Sequence, residues 1–190
     1  MIQIQELIKH FVLGIVSLFI INITMADDIK IKDFNEVIGE VKEEYAKDSF
    51  EYSIPNSFIL TVATAETGNM QFQGAPTAKK ANNYFGIHPT GDDKFLPTSG
   101  GAKLRKFENS KDSIRAFLKL ITTGSAYDNV RKSIEQGQPV EKLFMGMGGY
   151  AEKSDYPQFL NTVYRTRVNE ILNPILPKRK PLNVQMKGLN

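Results

Sequence analysis

Phe58-Ile-Leu-Thr-Val-Ala-Thr-Ala-Glu-Thr-Gly68 is apolar on nearly every side of a helical wheel until its last turn. A helix of that kind is buried over most of its surface, so the fold is predicted to be assembled around it. Gly68 is a natural stop, because glycine takes the left-handed conformation that ends helices without a Cβ clash. Pro55 stands where such a helix starts, with Ser53 or Asn56 as candidate caps. The last turn carries Glu66, the single acid in the 40 residues from Tyr52 to Gly91. It lies four residues after Val62 and three after Ala63, which stacks it on an apolar face. Apolar surroundings disfavour the charged form and raise a carboxyl pKa. A raised carboxyl is a proton donor near neutral pH, as the general acid of glycoside hydrolysis must be. The plain alternative is a solvated glutamate at a helix end, so the neighbours of Glu66 decide its reading.

Outward from this helix the chain reads as mainly α (an α+β class), a helical domain with one small β-hairpin lobe. Before it, Phe34, Val37, Ile38, Val41 and Tyr45 recur at helical spacing, with Glu and Lys between them. After it, Gly86, Gly91, Gly100 and Gly101 with Pro89 and Pro97 mark a change of texture over 82–107. There Lys103–Phe107 is predicted to form a strand, with a partner near Tyr84–His88 or Lys94–Leu96. Asn109 or Ser110 is predicted to cap a helix with Ile114, Phe117, Leu118 and Ile121 on one face. Tyr127, Val130 and Ile134 predict a short helix, Pro139 opens another over Val140–Met145, and Pro157 opens a last one. A helical body with a hairpin lobe leaves a cleft between them, over which a glycine-rich lobe is able to move.

Four short blocks resemble, in order, those of the bacterial glucosaminidase family, the mannosyl-glycoprotein endo-beta-N-acetylglucosaminidase type. They are Ala65-Glu66-Thr67-Gly68, Ala81-Asn82-Asn83-Tyr84-Phe85-Gly86-Ile87, Lys106-Phe107-Glu108-Asn109-Ser110-Lys111-Asp112-Ser113-Ile114, and Gly149-Tyr150-Ala151 followed by Tyr156. The segment from Phe107 through Tyr127 to Tyr156 is most similar to the family's Bax-like branch. The resemblance spans about Ile54 to Ile171. It implies a lysozyme-like helical fold and cleavage of β-1,4-linked N-acetylglucosamine bonds in peptidoglycan or related glycans.

On that resemblance Glu66 takes the place of the general acid. Tyr150 takes that of a cleft tyrosine that orients the acetamido group or stabilises the oxocarbenium-like state. A second carboxylate is sought in the lobe, where Asp92 and Asp93 are the candidates, although Asp also simply favours turns. A substrate N-acetyl group acting as nucleophile removes the need for either. Asn83 and Phe85 are candidates for substrate binding or, equally, for holding the lobe. Tyr84, Tyr127 and Tyr156 are the candidate stacking surfaces in a chain without Trp. Lytic transglycosylase chemistry and a non-catalytic glycan-binding module are the competing readings on the same fold.

Composition narrows the rest. The chain of 190 residues contains no Cys and two His, which excludes disulfides, thiolate zinc sites and Cys nucleophiles. No metal or organic cofactor is expected, and His88 reads as a loop residue. The net charge of +3 is concentrated after Leu176, in Lys178, Arg179, Lys180 and Lys187, so the body is not a nucleic-acid binder by charge. Phe11–Ile23 is an uncharged stretch preceded by Lys9 and followed by Thr24-Met25-Ala26. That is a secretory signal pattern, too short for a spanning helix. The expected organisation is a signal peptide over 1–26, the domain over 27–176 and a basic tail over 177–190. The protein is expected to be exported to the periplasm or beyond, meeting membrane only through the signal segment or an uncleaved anchor. Its expected partners are peptidoglycan strands, and it is expected to be monomeric.

Overall fold

The computed structural model describes residues 30–73 and 75–173. The expected signal segment and basic tail lie outside them. Helix α1 covers 30–42 and buries Ile31, Phe34, Ile38 and Val41 along one stripe. The short α2 (Phe50–Ser53) is capped by Ser49, whose hydroxyl accepts from the Tyr52 amide at 3.2 Å. Helix α3 (Asn56–Thr67) is the predicted central helix. Phe58, Ile59, Leu60, Val62 and Ala63 are fully buried in it. Neither expected cap serves α3. Pro55 occupies the cap position, with no side-chain bond, and the Ser53 hydroxyl donates back to the Phe50 carbonyl within α2. Gly68 ends α3 in the left-handed region at φ 57°, as its composition requires.

Two of the three buried threonines of α3 return their hydroxyls to the helix backbone, and the Thr64 hydroxyl has no partner among the described residues. Thr61 donates to the Ser57 carbonyl and Thr67 to the Ala63 carbonyl, each at 2.6 Å, so both are satisfied one turn back. Thr67 also accepts from the Met70 amide at 2.9 Å. That bond fixes the turn beyond Glu66, where Asn69, Met70 and Phe72 all have positive φ. Bulky side chains rarely adopt this conformation, and it is held here by surrounding bonds, including Phe72 N–H to the Thr67 carbonyl at 2.7 Å.

Helix α4 (Pro76–Lys80) leads to the lobe, a two-stranded antiparallel sheet of β1 (Phe95–Pro97) and β2 (Lys103–Arg105). The register pairs Phe95 with Arg105, Leu96 with Leu104 and Pro97 with Lys103. The second of the two expected strand partners is thus the paired one, while the first contributes a single bond, Arg105 N–H to the Ile87 carbonyl at 2.9 Å.

The helical body then resumes. Asn109 caps α5 (Ser110–Thr123), its side chain accepting from the Asp112 amide at 3.0 Å. A 3-10 turn (Ser125–Tyr127) feeds α6 (Asp128–Glu135), and α7 spans Val140–Met145 after Pro139. Helix α8 (Tyr156–Val163) passes through a π-helical stretch (Tyr164–Val168) into α9 (Asn169–Leu172). The core lies where α3 meets α7, α8 and the π-helical stretch. The architecture is mainly helical with one small antiparallel sheet, as in lysozyme-like folds. Among the described residues no helix is long and apolar enough to cross a membrane.

Candidate active site

Glu66 sits in the last turn of α3, where the buried helix reaches the surface. Its Oε1 accepts a hydrogen bond from the Tyr156 hydroxyl at 2.5 Å. On its other side lies the backbone of Gly86. A Cβ built on Gly86 would stand 3.0 Å from Glu66 Oε2, and Gly86 itself has φ 65°. The Gly in the Asn-Asn-Tyr-Phe-Gly block therefore does two things: it takes a left-handed turn and leaves space for the carboxyl. Gly86→Ala is expected to lower stability by about 1–2 kcal/mol through the positive φ and to displace the carboxyl. Denaturant unfolding and glycan cleavage assays check both effects.

An aromatic stack lies behind the carboxyl. Phe85 is fully buried and stacks on Phe117 at 4.3 Å. Tyr150 meets Phe117 edge-on at 6.1 Å and stacks on Tyr156 at 5.7 Å. The Tyr150 hydroxyl donates to the Phe85 carbonyl, one residue before Gly86. Tyr150 thus ties the root of the lobe to the helical body, and Tyr156 is the tyrosine that touches Glu66. Tyr127 is buried against Tyr150 at 6.1 Å.

This surrounding sets the electrostatics. Burial pushes the Glu66 carboxyl above the usual carboxylate range, and the Tyr156 hydrogen bond draws it part of the way back. Burial and the nearby Glu66 charge raise the Tyr156 phenol in turn, so Tyr156 stays a donor. Removing the Tyr156 hydroxyl takes a bond from the ionised carboxylate. Tyr156→Phe is therefore expected to raise the Glu66 pKa and move the alkaline limb of the kcat/KM profile to higher pH. A pH–rate series on the two proteins checks the direction.

The lobe residues have other partners. Asn83, 1% exposed, donates to the Ile87 and Arg105 carbonyls at 2.8 and 2.9 Å and accepts from the Ile87 amide at 2.9 Å. It is a post holding lobe to body, like Asn82, which donates to the Phe107 and Glu108 carbonyls. Asp93 accepts from the Thr90 amide at 2.9 Å and pairs with Arg105 at 3.2 Å. The Thr90 amide bond, aided by the Arg105 charge, holds its carboxyl below the usual range. Asp92 is exposed on the same turn, and so is His88 on the preceding loop. Tyr84 lines a different groove, with Phe34, Met70 and Phe72, and stacks on Phe34 at 4.5 Å.

The groove that does contain Glu66 has a volume of about 470 Å³ and is lined also by Ala151, Glu152, Lys153, Asp155, Tyr156 and Phe159. Four of these were not singled out by sequence: Glu152, Lys153, Asp155 and Phe159. The signal for them was their place between and just after Tyr150 and Tyr156. Phe159, 47% exposed and 6.3 Å from the Tyr156 ring, presents the aromatic face that an absent Trp would supply.

Residues 42–168 match the model of the glucosaminidase family, described as mannosyl-glycoprotein endo-beta-N-acetylglucosaminidase. The chain belongs to that family. The glucosaminidase match covers more than half of the sequence and takes in Glu66, the lobe and Tyr156. It supports a glycoside hydrolase of the peptidoglycan-hydrolase kind. No curated protein gives a significant match. A chain in the solved structure of a type VI secretion system effector-immunity complex from Pseudomonas protegens has a similar fold. The TM-score is 0.52 at 14% identity, covering 77% of this chain and 94% of that one. At that identity the likeness is one of fold.

Proposed function

We propose that this glucosaminidase is an exported enzyme that hydrolyses β-1,4 bonds of N-acetylglucosamine in peptidoglycan, with Glu66 as the general acid. The observation that carries this reading is the largely buried Glu66 carboxyl, raised in pKa, hydrogen-bonded by Tyr156 and open to a groove. Glu66 gives its proton to the leaving glycosidic oxygen as the C1–O bond breaks. Tyr156 holds the carboxyl in position and stabilises the carboxylate left behind. Tyr150, through the Phe85 carbonyl, keeps Gly86 beside it. Phe159 offers a sugar-stacking face; Phe159→Ala is expected to raise KM about 3- to 10-fold with a smaller change in kcat. Steady-state kinetics on soluble glycan strands checks this.

The substrate's location places the site of action in the periplasm or outside the cell. Mass spectrometry of peptidoglycan incubated with the protein tests the function. Products with reducing-end N-acetylglucosamine support it. Anhydro-muramic ends would make the enzyme a transglycosylase, and an undigested polymer would leave the fold with a binding role.

A further inference from the structure

Glycoside hydrolysis by water asks for a second group to take the proton of the attacking water. In the lobe, Asp93 is engaged by Thr90 and Arg105, and neither it nor the exposed Asp92 lines the groove of Glu66. The groove of Glu66 does contain two further acids, Glu152 and Asp155, both exposed. Neither side chain has a hydrogen-bond or ion-pair partner among the described residues.

The two are not equivalent. Asp155 occupies the N-terminal cap position of α8, where its charge complements the helix dipole although its side chain makes no cap hydrogen bond. Glu152 has no such task. It follows Ala151, which lines the same groove, on the loop between the stacked Tyr150 and Tyr156. It lines the groove of Glu66 and makes no hydrogen bond to Glu66 itself.

We infer that Glu152 is the general base of an inverting hydrolysis, with the water held between it and the anomeric carbon; this rests on the proposed glycosidase reading. In the step, Glu66 protonates the leaving oxygen while the C1–O bond breaks. The water oxygen bonds to C1 from the opposite face, and its proton passes to the Glu152 carboxylate. The two carboxyl groups then return to their starting states by proton exchange with solvent. The base thus comes from the loop before α8 and not from the hairpin lobe.

The test uses the full chain, Glu66→Gln, Glu152→Gln and Asp155→Asn on purified peptidoglycan, with and without sodium azide, after circular dichroism confirms each fold. Wild type is expected to release the α-anomer first, read by proton NMR. Glu152→Gln is expected to lose 100-fold or more of its rate, on the order of a missing base. Azide, which needs no deprotonation, is expected to restore cleavage in it and form a glycosyl azide, while Glu66→Gln is not restored. A merely structural role for Glu152 would not respond to azide. A Glu152→Gln rate within about threefold of wild type, a loss that azide does not mend, a first-formed β-anomer, or azide rescue of Asp155→Asn in its place would each overturn the assignment. Absence of cleavage by wild type would instead overturn the glycosidase reading on which it rests.

Discussion

Glu66→Gln is expected to reduce glycan cleavage by about 10²–10⁴-fold while leaving the fold intact. The amide has the same shape, and its oxygen still accepts from Tyr156, which donates to Glu66 at 2.5 Å. What is lost is the proton. The same variant has a second signature, in stability. Because the Glu66 pKa is raised in the folded protein, folding binds that proton more tightly than the unfolded chain does. Wild-type stability from this group is therefore present below the unfolded pKa and declines as pH rises through the folded one. Glu66→Gln has no such decline, so the difference between the two proteins' melting temperatures moves in favour of the variant from acid to alkaline pH. Cleavage rates and thermal melts at several pH values check the two halves separately.

Asn83→Ala is expected to have the largest effect on stability among the polar residues of the site. One side chain satisfies three backbone groups, the Ile87 amide and the Ile87 and Arg105 carbonyls. Removing it leaves the Ile87 amide and the Arg105 carbonyl without that partner at the junction of lobe and body, while the Ile87 carbonyl keeps the Arg105 amide. The expected cost is about 3 kcal/mol, with a fall in Tm of roughly 10 °C. Activity falls with it, because Asn83 fixes the loop that carries Gly86 past Glu66. Asn82→Ala is the comparison. Its bonds to the Phe107 and Glu108 carbonyls are nearer solvent, so a smaller loss is expected there.

The parts of this molecule legible in sequence are those set by local chemistry. An apolar run ending in Gly68 is a buried helix whatever packs on it, and Pro139 opens Val140–Met145 as its fixed φ dictates. The hairpin follows from glycine-rich turns around alternating residues. Glu66 was legible because a lone acid on an apolar helix is conspicuous.

The parts that were not legible are set by distant partners. The left-handed Asn69, Met70 and Phe72 carry no signal of their own and are held by bonds to Thr64 and Thr67. The π-helical turn at Tyr164–Val168 lies in an ordinary helical pattern. Tyr150 and Tyr156 are equivalent on paper, and only the closed fold gives one the Phe85 carbonyl and the other Glu66. Glu152 and Asp155 sit among polar neighbours in sequence, so their shared groove with Glu66 emerges only in three dimensions.

The proposed catalysis needs one carboxyl, Glu66, kept protonated by its surroundings. Carbon-13 NMR titration of the side-chain carboxyls in wild type and Glu66→Gln reads that state directly. The expected result is one resonance, missing from the variant, that titrates above the ordinary glutamate range. A Glu66 resonance titrating at or below that range would contradict the assignment of Glu66 as the proton donor.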